Sequence, residues 1–393
     1  MTSLDCSENT LLNTTKTNNT IRVLYVIGSL NVGGAETQLL ALAEGVLLRG
    51  LDCRLFAMDG SGPLREKFEK VGVTVIDGGH RASRPMLLIR CFFRLLYAIA
   101  RYKPTVVHSV LPLSNLMAVV AATFCRVNAR LTSRRSLGLY QDTNRLWRYI
   151  DRISNFLSHR VVANSNAVRD DVIERDSVSP HRLVTIYNGL KFDDTDMQYI
   201  SSSVLRSQSN IPKDYFLFIN VANLFRYKGQ DYLLKAFSQV AKSNSNCGLL
   251  FVGKDCGMGD ELAKLAINLE VEDRVWFVGY QADSMSWIRA ADAAVLSSLE
   301  EGFNNFLIES MFYGTPVIAT RVGGNPEAIA DGEYGQLVPA KDVESLSKAM
   351  SQEIDDRSTR GQRTNLARGY AQNNFDHEIM LNKYIELYDE MIR

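Results

Sequence analysis

A chain of 393 residues, 46% hydrophobic and 22% charged, is too long for one ordinary core and too apolar for a disordered or fibrous protein, so two globular domains are expected. No run reaches the ~18 uninterrupted apolar residues of a membrane span, and the six cysteines (Cys6, Cys53, Cys91, Cys125, Cys247, Cys256) form no Cys-x-x-Cys pair or zinc-finger spacing, which fits reduced structural thiols. The 44 basic and 44 acidic side chains cancel overall but not by half: residues 1–191 carry 25 against 15 and residues 192–393 carry 19 against 29, a segregation that points to an anionic partner for the first half.

Residues 1–20 are polar and lack the basic-then-apolar order of a secretory signal, so they read as a disordered tail. The sequon Asn13-Thr14-Thr15 is then a chance match. Ile21–Ile27 reads as a buried strand, Gly28–Gly34 as a loop, and Ala35–Leu48 as a helix with Leu39, Leu40, Ala43, Val46 and Leu47 on one side. Strands follow at Cys53–Met58, Val73–Ile76, Thr105–Ser109, Ala129–Thr132, Arg160–Ala163 and Val184–Tyr187, the last ended by a turn at Asn188-Gly189. The polar stretch 192–212, with Ser201-Ser202-Ser203, is the expected interdomain linker. A second series runs through Phe216–Val221, Gly248–Val252, Val275–Val278, Ala293–Leu296 and Pro316–Ala319, and an amphipathic helix spans about Asp376–Ile392. Strands alternating with helices predict two α/β domains, 21–191 and 213–375, each with a parallel sheet.

Two segments carry chemistry. The loop Gly28-Ser29-Leu30-Asn31-Val32-Gly33-Gly34-Ala35-Glu36 joins a strand to a helix, where glycines let backbone approach a ligand and a helix N-terminus offers free N–H groups. It lacks the G-x-G-x-x-G spacing of a dinucleotide site, and Gly34-Ala35 stands where a P-loop needs Lys-Ser/Thr. The stronger segment is Ser297 to Glu309. It follows the strand Ala293–Leu296 and opens a helix that Gly314-Thr315-Pro316 ends. Carboxyl ends of strands are where open α/β sheets bind ligands. The amides of Gly302, Phe303, Asn304 and Asn305 suit a diphosphate, Glu309 one turn on suits ribose hydroxyls, and Glu301 before the helix suits a donor sugar. The plainer alternative is a solvated acidic turn with a capping pair.

Glu301, seven residues, then Glu309 resembles the signature of glycosyltransferase family 4, a retaining family with the GT-B fold. The resemblance spans roughly residues 21–390, through Gly33-Gly34-Ala35-Glu36, Val162-Ala163-Asn164-Ser165, Tyr187-Asn188-Gly189, Leu224-Phe225-Arg226-Tyr227-Lys228-Gly229, Gly253, Val275–Gly279, Gly314–Ala319 and Gly323-Gly324-Asn325-Pro326-Glu327. It implies two Rossmann-like, doubly wound parallel-sheet domains facing a central cleft, with the terminal helix 376–393 crossing back to the first. It also implies roles. Lys228 would neutralise the donor diphosphate, Gly33 and Gly34 would close onto the phosphates, Glu301 would contact the transferred sugar, and Glu309 the ribose. Two positions depart from the family pattern. Asn223 stands where an Arg is usual, with Arg226 nearby as a substitute. Ser133-Arg134-Arg135 stands where many relatives carry a His after the strand. Arg134 or Arg135 would then bind phosphate or an anionic acceptor, the sequence leaving open which one points inward. His108, at a strand end, is a candidate for the cleft or a structural histidine.

Neither a cofactor nor a metal is expected beyond the nucleotide-sugar co-substrate. Asp194-Thr195-Asp196 falls in the linker, and no cluster has metal-ligand spacing. Between Asp77 and Asp142 there is no acid, while Arg81, Arg84, Arg90, Arg94, Arg101, Lys103, Arg126, Arg130, Arg134 and Arg135 fall inside. Large apolar residues alternate with arginines over Met86–Tyr97, so residues 81–135 are expected to meet an anionic membrane surface, with no nucleic acid involved. The expected protein is a cytoplasmic, peripheral glycosyltransferase acting on a lipid-linked or polysaccharide acceptor. A non-catalytic GT-B subunit and a GT-B nucleotide-sugar epimerase are the alternatives.

Overall fold

The computed structural model describes residues 21–79, 85–192, 199–356 and 358–393. The expected tail, Cys6, Arg81, Arg84 and Asp194-Thr195-Asp196 lie outside the described residues. Strands β1 (Arg22–Ser29), β2 (Asp52–Asp59), β3 (Thr74–Asp77), β4 (Val106–Val110), β5 (Ala129–Arg134), β6 (Arg160–Ala163) and β7 (Leu183–Thr185) form one parallel sheet in the order β3-β2-β1-β4-β5-β6-β7. Strands β8 (Phe216–Val221), β9 (Cys247–Val252), β10 (Val275–Phe277), β11 (Ala293–Leu296), β12 (Val317–Thr320) and β13 (Gln336–Val338) form the other, in the order β10-β9-β8-β11-β12-β13. Both sheets are doubly wound with the same strand order. Their direction of winding reverses between β1 and β4 and between β8 and β11, and ligand crevices lie at such reversals.

Helices cover both faces, which is why the strands are continuous apolar runs rather than alternating ones. In β1, Val23, Tyr25 and Ile27 pack against Leu39, Leu42 and Val46 of helix Gly34–Leu48. Leu24 and Val26 point the other way, toward Cys91, Leu95 and Ile99 of helix Pro85–Tyr102 and Ala118 of helix Pro112–Phe124. The second sheet repeats the arrangement, with Phe218 against Leu233 and Phe237 on one face and Leu217 and Ile219 among Ile288, Leu307 and Phe375 on the other.

The last helix, His377–Ile392, adds Met380, Leu381, Tyr384, Leu387 and Tyr388 to the core of the first domain. The chain crosses between domains twice, side by side. Leu190 N donates to Phe375 O at 2.9 Å and His377 N donates to Leu190 O at 2.9 Å. Asp376 caps the helix that follows, accepting from Glu378 N at 2.7 Å.

Two expectations change. The stretch 192–212 is not linker throughout, because Ser202–Gln208 is a helix whose Leu205, with Ile211, enters the second core. Its Arg206 is buried, donating to Ala290 O and to the Asp292 carboxylate at 2.8 Å. The second domain therefore begins before its first strand, behind a serine-rich surface. The edge strand β13 was also not anticipated, since three residues are too few to show a period.

Candidate active site between the two sheets

In the second domain, the loops after β8 and β11 lie side by side at the reversal of strand order. Leu299 N donates to Tyr227 O at 2.7 Å and Ser297 Oγ to Lys228 O at 3.0 Å, stitching one loop to the other. This brings Lys228 to Glu301 across 73 residues of sequence, with Nζ 2.6 Å from Glu301 Oε1. The same oxygen accepts from Ser298 Oγ at 2.6 Å and Asn304 Nδ2 at 2.9 Å. The loop is held from below by Gly323, whose φ of +50° only glycine adopts without strain, and whose added Cβ would overlap the Glu301 carbonyl oxygen.

Asn304 caps helix Asn305–Phe312, its Oδ1 accepting from Phe306 N at 2.9 Å. The amides of Gly302, Phe303, Asn304 and Asn305 find no acceptor among the described residues, although Gly302, Phe303 and Asn304 are buried. Buried N–H groups are rarely left unpaired. Together with the helix dipole they form an anion cradle beside the Lys228 ammonium. One turn on, the half-buried Glu309 carboxylate has no partner among the described residues, and burial pushes its pKa up to about 7. A carboxylate held without donors in a dry site is one that a ligand's hydroxyls can satisfy.

The first domain closes over this cradle. Gly34 opens helix Gly34–Leu48 with no protein atom within 4 Å of where a Cβ would stand, so the loop presents bare backbone. A Cβ on Gly302 would overlap Arg135 O, so only glycine allows this approach of the two domains. The half-buried Arg135 guanidinium donates to Asn188 Oδ1 and is hydrogen-bonded to the Tyr384 hydroxyl, with the Glu36 carboxylate nearby. Burial lowers the Arg135 pKa and raises that of Glu36, and each charge opposes the other's shift. Asn188 Nδ2 in turn donates to Asn305 Oδ1 at 2.6 Å, so a chain of bonds runs from Arg135 to the mouth of the cradle.

Two further side chains lock the domains. Ser165 Oγ donates to Gly302 O at 2.8 Å. Glu327 of the second domain accepts from Asn166 N at 2.7 Å, Ala167 N at 2.8 Å and Tyr187 Oη at 2.8 Å. Asn166 and Ala167 open helix Asn166–Asp176 of the first domain, so a carboxylate from one domain satisfies orphan amides of the other.

The structure thus gathers Lys228, Glu301, Gly302, Phe303, Asn304, Asn305 and Glu309 around one crevice, with Arg135 opposite and, near its guanidinium, Glu36 of the helix that Gly33 and Gly34 open. Phe303 contributes packing, its ring 5.0 Å from Tyr187 and 5.3 Å from Phe375. Three candidates are corrected. Arg226 faces solvent, 73% exposed and paired with Glu261 at 2.8 Å. His108 is a structural histidine, buried between Tyr388 Oη and Ser133 Oγ at 2.7 Å each; burial and then Arg135 lower its pKa to about 3 and keep it neutral. Arg134 is buried on the other face of the sheet, 2.6 Å from Asp151 and 3.7 Å from Asp176, and spent on them. Asn223 accepts from Lys254 N at 3.0 Å and lends its carbonyl to Gln230, a scaffolding position. Asn188, Glu327 and Tyr384 were not singled out by sequence. Their partners are far off in the chain, and only the quoted motifs Tyr187-Asn188-Gly189 and Gly323–Glu327 marked two of them.

Among the described residues no three His, Cys, Asp or Glu side chains converge as a metal site would require.

Residues 32–194 match the family model described as Glycosyltransferase Family 4, and residues 201–370 the model described as Glycosyl transferases group 1. The chain is 30% identical to the lipopolysaccharide core biosynthesis glycosyltransferase LpsE of Rhizobium meliloti, over 47% of this chain and about half of that protein, 53%. It is 24% identical to an uncharacterized glycosyltransferase of Methanocaldococcus jannaschii over 83% of this chain and 86% of that one. Among solved structures, HepE of Anabaena in complex with UDP superposes with a TM-score of 0.81 at 21% identity, covering 94% of this chain and all of that one.

Proposed function

The chain belongs to glycosyltransferase family 4 and is a glycosyltransferase with the GT-B architecture, and from that premise we propose which sugar transfer it performs. It takes a nucleoside-diphosphate sugar, with UDP or GDP as the carrier, and passes the sugar with retention to a lipid-linked or polysaccharide acceptor of a cell-surface glycan. It needs no metal, and works at the anionic cytoplasmic face of a membrane that residues 81–135 approach. What carries the reading is the cradle at Gly302–Asn305 beside Lys228, whose amides, like the Glu309 carboxylate, have no partner among the described residues.

The chemistry follows from where charge develops. As the bond from sugar to diphosphate breaks, negative charge grows on the leaving phosphate. Fixed amides and an ammonium aimed at that spot stabilise the transition state more than the ground state. Lys228 is pre-set there by Glu301, and in this reading Glu301 also contacts the transferred sugar. Glu309 accepts the ribose hydroxyls. Gly33 and Gly34 cover the phosphates from the other domain, and Arg135 faces the anionic part of donor or acceptor. The relative named for lipopolysaccharide core synthesis supports a glycan of the cell surface as the acceptor.

Thermal unfolding with UDP, GDP, ADP and their sugar conjugates tests the reading. One nucleoside diphosphate at ~100 times its Kd should stabilise the protein by roughly 2.7 kcal/mol. The shift should vanish in Lys228→Ala, and the matching sugar nucleotide should support transfer by wild type alone. If no nucleoside diphosphate shifts the transition, the donor site is not functional and the non-catalytic alternative replaces this one.

A further inference from the structure

Helix Arg145–Leu157 is built inside out. Its inner face carries Asp151, Ser154 and Asn155, all buried. Asp151 pairs with Arg134, and Asn155 Nδ2 donates to Asp176 at 3.0 Å. Its outer face carries Leu146, Tyr149, Ile153 and Phe156, the last 80% exposed. A helix of a soluble domain turns its apolar stripe to the core and its polar side to water. Here the buried arginine and its two carboxylates claim the inner face, and the apolar stripe is left outside.

The neighbouring surface has the same character. Helix Pro85–Tyr102 fills the core with Cys91, Leu95 and Ile99 yet also exposes Met86, Ile89, Phe93 and Tyr97, spaced three or four residues apart on its outer side. Helix Pro112–Phe124, packed between the two, ends on Phe124, which is 73% exposed. These helices follow β3, β4 and β5 and coat the same face of the first sheet. Because they run antiparallel to the strands, they begin beside the carboxyl edge of the sheet, where the cleft lies.

Charge selects what covers this face. From residue 85 to 157 the only acids are Asp142 and Asp151. Asp151 is buried, and Asp142 is held by Arg175 at 2.8 Å. Arg90, Arg94, Arg101, Arg126, Arg145 and Arg152 are all exposed around the apolar stripes. A second copy of the chain docked through this same face would set arginines against arginines. An apolar surface ringed by cations complements the boundary between acyl chains and anionic headgroups.

We propose that the outward-facing stripe of helix Arg145–Leu157, with the exposed side of helix Pro85–Tyr102, is the docking face of this protein on an anionic lipid bilayer. The inference rests on the reading of an enzyme with a membrane-borne acceptor, and moves the main contact beyond the basic window to a helix that lies outside it. Docking on this face sets the mouth of the cleft beside the headgroups, where a lipid-linked acceptor is presented.

Flotation of the full chain at low salt with phosphatidylcholine vesicles, with and without phosphatidylglycerol, tests it. Wild type should float only with the anionic vesicles. Ile153→Ser with Phe156→Ser should bind at least about tenfold more weakly, since a buried aromatic or branched side chain accounts for that much. The same variant should unfold at the wild-type temperature and keep the thermal shift with nucleotide, because neither residue touches core or cleft. If wild type floats and this variant floats equally, while Phe93→Ser with Tyr97→Ser does not, the membrane enzyme survives and the stripe of helix Arg145–Leu157 is refuted as part of the docking face. If wild type does not float although nucleotide still binds, the membrane reading fails and the glycosyltransferase stands. A wild-type dimer in sedimentation that the variant dissociates would assign the face to a second copy and overturn the lipid as occupant.

Discussion

The two sheets wind in the same order, yet they use their reversal points differently. At the second, between β8 and β11, the charged groups are poised: Lys228 and Glu301 hold each other, while Glu309 and four amides have no partner among the described residues. At the first, between β1 and β4, His108 is spent on Tyr388 and Ser133, and next door Arg134 is spent on Asp151 and Asp176. Topology says where a crevice lies. Which groups are free to act there is decided by counting the partners each already has.

The comparison breaks most visibly at Arg134. Replacing it with Met leaves two buried carboxylates without their cation, and the protein should lose about 3–5 kcal/mol in denaturant unfolding. A variant that unfolds like wild type but fails in transfer would move Arg134 into the chemistry and erase the contrast. Next is Glu309. Its carboxyl titrates near 7 in the fold against 4.5 for an unburied one, so the native state is favoured at low pH and progressively loses that advantage as pH rises from 4.5 through 7. The loss reaches at most about 3 kcal/mol. Glu309→Gln should lack this slope, exceed wild type in stability at pH 8, and lose transfer at every pH. Equal slopes in the two proteins would mean that the carboxylate is not desolvated. The smallest effect belongs to the tie between domains. Glu327→Ala leaves the Asn166 and Ala167 amides of helix Asn166–Asp176 without their acceptor and should cost about 1–2 kcal/mol. It should also raise the rate of proteolysis at the domain junction without changing the nucleotide-induced shift.

Much of this was legible in the chain. Buried parallel strands betray themselves as apolar runs, so Arg160–Ala163, Phe216–Val221 and Ala293–Leu296 stand where they were expected. The helix Ser202–Gln208 was hidden because its outer residues are serines and one leucine carries its burial. In the site, Glu301 and Glu309 announce themselves by spacing, but the ion pair to Lys228 depends on β8 and β11 being neighbours, which no local pattern states. Arg134 and Arg135 show the limit most plainly. Consecutive residues at a strand end face opposite sides, so one had to point to the helices and one to the cleft. The buried Asp151 and Asp176 decide it, and their proximity exists only after folding.

The last helix bears on how the protein is made. Tyr384 and Tyr388 are part of the first domain's interior, and Tyr384 hydrogen-bonds Arg135. The amino-terminal domain therefore emerges with part of one face uncovered and cannot finish until helix His377–Ile392 has been made. The later-synthesised second domain, contiguous from residue 199 to 375, has all its parts first. Vectorial synthesis thus runs against the usual order in which domains mature from the amino terminus. A chain that stops before His377 keeps the second domain and its Gly302–Asn305 cradle but displays Tyr25 and His108, the partners of Tyr388, to the cell's quality control.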